Sequence, residues 1–255
     1  MVPAAVAVPI ANTANWQLSL AVWAVIPLAA LGPWLWVLRH QRHHPPAAQT
    51  SANQTRLSAP VWRSPIAWGL AIMFGSTSLI TYSMFTWIPR ILADAGAGDG
   101  FGGLMVSLFS AVGFATGLIA PTLCARMRNP YPIIIVCAAC FFAGFAGLLW
   151  APMHGTIAWV VLVGIGPTTF PMSLTLINLR TRTGAGSAAL SGFVQGIGYL
   201  LACSGPLLFG ILHTALGGWQ MPFAFLSAIV VVMAMGGWVV CKPRFLEDTL
   251  DPAAH

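Results

Sequence analysis

The chain has 255 residues, 58% of them hydrophobic and only 6% charged, and its formal net charge is +6. A soluble domain carries about 25% charged residues to face water, so this composition, with a mean hydropathy of +0.82, excludes a water-soluble enzyme and implies a lipid-covered surface. The basic excess does not mark a nucleic-acid binder, because its distribution along the chain has another meaning.

A transmembrane barrel strand alternates apolar and polar residues over about ten positions. The apolar stretches here are about twice that length and rich in Ala, Gly, Leu, Val and Phe. The expected class is all-α: a polytopic membrane protein of about seven transmembrane helices, since lipid demands internal pairing of every backbone group. The opening MVPAAVAVPIANTAN has no charge and no basic n-region, so it is read as an external tail rather than a signal peptide. It also fits the end of an external loop, as expected if the reading frame starts inside a longer gene.

The first apolar segment is 17–38. HQRHHPPAAQTSANQTRLSAPVWR, from His40 to Arg63, is polar, proline-containing and long, and is expected to be a cytoplasmic linker. Its His40, His43 and His44 are not expected to form a functional metal site. Six further segments lie at roughly 66–89, 101–124, 131–150, 156–178, 187–211 and 220–241. At about 1.5 Å per residue each can cross a hydrocarbon core of about 30 Å. The expected organisation is an external tail and first helix over 1–38, a linker over 39–64, a six-helix domain over 65–243 and a cytoplasmic tail over 244–255.

Arg39, Arg42, Arg56 and Arg63 follow the first segment, Arg126 and Arg128 the third, Arg180 and Arg182 the fifth, and Lys242 and Arg244 the seventh. Asp94 and Asp99 follow the second. Ten of the eleven basic residues thus fall on one side of a consistent zigzag, which the positive-inside rule makes cytoplasmic. The expected location is a cell membrane, a bacterial inner membrane, with the N-terminus outside and the C-terminus in the cytoplasm. Trp16, Trp34, Trp62, Trp87, Trp150 and Trp219 sit near segment ends, as interfacial anchors do.

There is no Walker GxxxxGK[ST], no HExxH, no TVGYG-like filter, no voltage-sensor run of arginines, and no Asp or Glu within a segment. No enzyme, cofactor or metal is expected. Cys137 and Cys140 form a CxxC, but inside an apolar segment they are read as two small buried residues rather than a redox dithiol.

Polar groups inside the segments should point into the bundle, because facing lipid costs several kcal/mol. Ser191, Gln195 and Tyr199 form one helical stripe, Ser78, Thr81, Tyr82 and Phe85 share a face, and the third segment adds Ser107 and Ser110. Thr168, Thr169 and Ser173 surround Pro167 and Pro171, whose missing donors loosen the fifth segment. The candidate solute-path residues are Tyr82, Arg90, Ser107, Thr169, Gln195 and Tyr199. Arg90 stands off the basic side: it snorkels to outer headgroups, pairs with Asp94, or offers a cation to an anionic solute. Gly113, Gly117, Gly192 and Gly196 are the candidate helix-packing positions.

These residues resemble a known family. FPMSLTLINLRTRTGAGSAALSGFVQGIGYLLACSGPLLFGILHTALGGW, from Phe170 to Trp219, and ITYSMFTWIPRILADAG, ending at Gly96, are similar to the C-terminal half of a major facilitator superfamily transporter of the cyanate and nitroimidazole transporter-like branch. The likeness covers about residues 66–243, with the first segment like the family's sixth helix and 40–63 like its central loop. It implies a C-terminal six-helix half plus one preceding helix, and a truncated transporter lacking the first five helices. Ala125 stands where related transporters often place an acidic residue, so the gating contact of that loop is not expected to be intact. The implied function is secondary transport of a small solute, with an anion such as cyanate as one candidate. The implied partners are membrane lipid, the solute, and either a missing N-terminal half or a second copy. The competing readings are a non-transporting membrane fragment or assembly partner, and a seven-helix receptor.

Overall fold

The computed structural model describes residues 25–43, 60–98 and 100–250, and every regular element among them is helical. In chain order these are α1 (Val25–His43), α2 (Pro65–Asp94), α3 (Phe101–Arg126), α4 (Tyr131–Trp150), α5 (Thr156–Ile165), α6 (Thr169–Leu179), α7 (Gly184–Leu216), α8 (Gln220–Cys241) and the short α9 (Leu246–Leu250). A 3₁₀ turn at Gly166–Thr168 joins α5 to α6 into one span, so six stretches are long and apolar enough to cross a membrane. The expected all-α membrane fold is the fold observed. The chain is a multi-pass membrane protein.

The chain divides into two units, residues 1–54 and residues 55–255. The first contains α1, whose apolar part is Leu28–Val37, with Pro33 inside it and Leu28, Leu31 and Trp34 exposed. The helix runs on to His43, past the expected end at 38. Residues 1–24 and 44–59, with Trp16, His44 and Arg56, lie outside the described residues, as do Asp99 and 251–255. The side chains of His40, Arg42 and His43 lie outside them too, and with them the histidine cluster.

Within the second unit the helix starts follow from capping. Ser64 caps α2, its hydroxyl accepting from the Ile66 amide at 3.2 Å, and Pro65 opens the helix where its missing donor costs nothing. Thr183 caps α7 by accepting from the Gly186 amide at 3.0 Å. At the other end of α7, Gly217 takes a left-handed conformation, φ +66°, that stops the helix.

α2 is the central helix. Eighteen of its 30 residues are buried, against four of the 26 in α3, because α3, α6, α7 and α8 all pack on α2. Two glycine pairs set the closest approaches. A Cβ on Gly69 would lie 3.1 Å from the Gly236 carbonyl, bringing α8 onto α2. A Cβ on Gly75 would lie 3.0 Å from the Gly198 Cα, bringing α7 onto the opposite flank. Phe74, Phe109, Phe141, Phe209 and Phe223 fill the core between them.

Several buried and half-buried hydroxyls of the spans bond within their own helices. Thr77, Thr81, Ser83, Ser110 and Ser173 each donate to the carbonyl four residues back. The Cys137 thiol faces the Ile165 carbonyl at 3.9 Å, and all five cysteines are free.

Among the described residues of this unit, the basic ones other than Arg90 gather at one end. Arg180 donates through Nε to the Val240 carbonyl (2.8 Å) and through Nη2 to that of Cys241 (3.0 Å). Beyond α8 the chain doubles back. The Leu246 amide donates to the Arg180 carbonyl at 2.8 Å, and Glu247 accepts from the amides of Arg182 and Thr183 and from the Thr183 hydroxyl. Arg182 pairs with Asp248 at 2.7 Å, and Thr249 shares a 2.7 Å hydrogen bond with Ser64. At the opposite end Arg90 pairs with Asp94 at 2.9 Å, and the His213 ring stacks on Trp219 at 3.8 Å.

Candidate functional site

The 3₁₀ turn within the fifth span borders a cleft. Pro167 lies in the 3₁₀ turn, and Pro171, one turn into α6, has no amide to donate. Against this loosened backbone stand the middles of α2 and α3. This open-sided cleft, about 260 Å³, is lined by Ser78, Thr81, Tyr82 and Phe85 of α2, by Phe109, Ser110 and Gly113 of α3, and by Pro167, Phe170 and Pro171. None of these lining residues is charged.

Aromatic rings form its walls. Phe85 and Phe109 meet edge to face at 5.0 Å. Phe170 lies 4.8 Å from Phe74, which in turn meets Tyr199 edge to face at 5.1 Å. Tyr82 stays 41% exposed.

Ser78 stands apart from the self-bonded hydroxyls. It is 2% exposed, lines the cleft, and its Oγ has no hydrogen-bond partner. Thr81 and Ser110, beside it, have donated their protons to backbone carbonyls and keep acceptor capacity. A buried unpaired hydroxyl costs about 1–3 kcal/mol, so a solute that meets the Ser78 hydroxyl recovers that cost.

Of the candidate solute-path residues, the cleft collects Tyr82. Thr169 lies behind the wall, fully buried, sharing a 2.7 Å hydrogen bond with Thr77. Ser107, one turn before Ser110, bonds to the Gly103 carbonyl and does not line the cleft. Gln195 donates to Ser191 at 2.6 Å, keeping the stripe together but apart from the cleft lining. Tyr199 borders Phe74 at 38% exposure. Arg90 sits at the far end of α2, 65% exposed and paired with Asp94.

The candidate packing glycines divide similarly. Gly113 joins the cleft lining, and a Cβ there or on Gly117 meets ordinary contacts at 3.9 Å, while Gly192 and Gly196 have open space around them. The glycines of α7 with tight surroundings are Gly186, Gly198, Gly205 and Gly210, and a Cβ built on Gly205 lies 2.7 Å from the Leu79 carbonyl. Ser78, Thr81 and Phe85 share their helical face with Tyr82, which is the signal that groups them in the sequence. Phe109 and Phe170 carry no signal that separates them from other core aromatics.

The family model of the Major Facilitator Superfamily matches residues 3–203. Over 247 residues the chain is 34% identical to the "uncharacterized transporter YycB" of Bacillus subtilis (strain 168), covering 94% of this chain and 60% of that protein. It is 34% identical over 245 residues to the 2-nitroimidazole transporter of Escherichia coli (strain K12), covering 95% of this chain and 61% of that one. The cyanate transport protein CynX of the same organism is 27% identical over 221 residues, covering 86% and 56%. The chain thus spans about 60% of the length of the curated relatives it matches. No solved structure matches it significantly.

Proposed function

We propose, from the premise that the chain belongs to the Major Facilitator Superfamily, that it contributes the solute-binding wall of a secondary transporter for a small solute. The observation that carries this reading is the cleft between α2, α3 and the Pro167 turn, with the unpaired Ser78 hydroxyl in its lining. The 3₁₀ turn beside it, with Pro167 and Pro171, gives this helix a local irregularity of the kind that transporter sites use. Tyr82, Ser78 and Ser110 supply hydrogen bonds, and the phenylalanines supply flat apolar walls.

The relatives' names divide between 2-nitroimidazole and the anion cyanate. The uncharged, aromatic lining favours a flat hydrogen-bonding solute over a compact anion. Arg90, the cation an anion would use, is already paired with Asp94. Orientation follows from charge: the end carrying Arg180, Arg182 and Lys242 is cytoplasmic. A second surface, from an N-terminal half or another copy of this chain, completes the path, because alternating access needs two bodies rocking around the site.

Two measurements test this on the purified chain. In nanodiscs, 2-nitroimidazole should raise the thermal midpoint saturably and cyanate should not. Ser78→Ala should weaken that binding by roughly fivefold, the equivalent of about 1 kcal/mol. Equal affinity of Ser78→Ala and the parent chain would remove the cleft from the solute path. Proteoliposomes holding this chain alone should bind solute without gradient-driven uptake. Saturable uptake would instead mean that copies of the chain complete the path themselves.

A further inference from the structure

Two cavities in the second unit meet at Tyr131 and Trp238. One, about 490 Å³, is a furrow between α2 and α8, walled by Trp68, Ile72, Val232 and Met235. Gly69 and Gly236, where the two backbones approach closely, also line it. The other, about 380 Å³, lies at the basic end of the bundle and is lined by Arg128, Asn129 and Lys242 together with the same Tyr131 and Trp238.

Among the described residues no carboxylate pairs with Arg128 or Lys242. Of the described carboxylates, Asp94 lies at the other end with Arg90, Asp248 pairs with Arg182, and Glu247 accepts from the backbone amides of Arg182 and Thr183 and from the Thr183 hydroxyl. Lys242 Nζ sits 3.4 Å from the centre of the Trp238 ring, which holds it at the mouth of the furrow. An anion is therefore the complement of the polar cavity. The continuous apolar furrow, running along two membrane-crossing helices, is the complement of a hydrocarbon chain.

The geometry points to a bound anionic phospholipid, its phosphate between Arg128 and Lys242 and one acyl chain along the α2–α8 furrow. A free phosphate satisfies the cations but leaves the furrow empty, and a zwitterionic lipid fills the furrow but brings its own cation to the two already there. Basic pockets between membrane helices hold anionic headgroups on these grounds. The inference rests on the membrane fold and is independent of what the cleft carries.

The test is native mass spectrometry of the full chain in detergent, titrated with phosphatidylglycerol, with phosphatidylcholine of the same acyl chains, and with inorganic phosphate. Phosphatidylglycerol should be retained as a discrete adduct, and phosphatidylcholine should bind at least several-fold more weakly. Arg128→Gln and Lys242→Gln should each lower the phosphatidylglycerol affinity about fivefold. Arg126→Gln, which removes a cation at the same end but outside the cavity lining, should leave it unchanged. Val232→Trp, which fills the furrow, should displace the lipid while the thermal midpoint stays near that of the parent chain. Equal retention of the two lipids, or full affinity in the Arg128→Gln/Lys242→Gln double variant, would overturn the proposal. So would inorganic phosphate competing as well as the lipid, which would make this a free-anion site.

Discussion

Thr77 of α2 and Thr169 of α6 share a 2.7 Å hydrogen bond in a fully buried setting, fastening the central helix to the span that carries the Pro167 turn. Each hydroxyl also has a carbonyl of its own helix to donate to, Met73 for Thr77 and Gly166 for Thr169. The pair is thus a cross-link that leaves no polar atom stranded beside the cleft.

Thr169→Val should destabilise the bundle by about 1 kcal/mol, since interhelical hydrogen bonds in membrane proteins average about 0.6 kcal/mol and rarely exceed 2. Thr77→Val/Thr169→Val should cost less than the two single changes added together. Unfolding in mixed micelles, read by helical circular dichroism, measures the cycle. Strict additivity would show that the two side chains do not couple.

Gly205→Ala and Gly196→Ala should separate sharply. The first pushes a methyl to 2.7 Å from the Leu79 carbonyl and should cost about 1–3 kcal/mol through overpacking. The second meets nothing within 4 Å and should be neutral, or stabilising by up to about 1 kcal/mol through helix propensity. Thermal midpoints of the two variants in the same detergent decide it, and equal losses would refute the α2–α7 seam described above.

Single cysteines at Met127 and Gly98, placed in a chain otherwise free of cysteine, should label from opposite sides of the membrane. An impermeant maleimide added outside intact cells should reach Gly98→Cys and miss Met127→Cys. The reverse result would put the basic end outside.

Arg180→Met should free the end of α8, because it removes the bonds to the carbonyls of Val240 and Cys241. Cys241, only 2% exposed, then becomes the reporter: its alkylation in detergent should speed up several-fold. Arg180→Lys should restore only part of the protection, since a single ammonium does not reproduce the two-armed geometry of the guanidinium. An unchanged rate in Arg180→Met would mean that α9, not Arg180, holds this end.

The spans are legible in the sequence because each is a long apolar run bounded by charge, proline or glycine. The third is expected at 101–124 and forms Phe101–Arg126, and the seventh is expected at 220–241 and forms Gln220–Cys241. Helix faces are harder to read. Gly192 and Gly196 have the four-residue spacing of a packing motif, yet the buried face of α7 runs through Leu190, Val194, Gly198, Ala202 and Gly205. Spacing fixes which residues share a face, whereas only the neighbouring helices decide which face is covered. The cleft shows the same division. Ser78 groups with Tyr82 by periodicity, but its unpaired hydroxyl depends on where α3 and the Pro167 turn stand. Glu247 and Thr249 lie in a segment read as a tail, and their role comes from partners 64 and 185 residues away.

That last contact also dates an event in the life of the chain. Thr249 is made 185 residues after Ser64, the cap of the first span of the second unit. At about 5–20 residues per second, roughly ten to forty seconds separate the two ends of this hydrogen bond on the ribosome. Throughout that interval the start of α2 sits at the membrane surface with its Thr249 partner still unmade. The basic end therefore stays open while all six spans are threaded into the bilayer, and it closes only when Leu246–Leu250 emerges to join the loop after α6 to the start of α2.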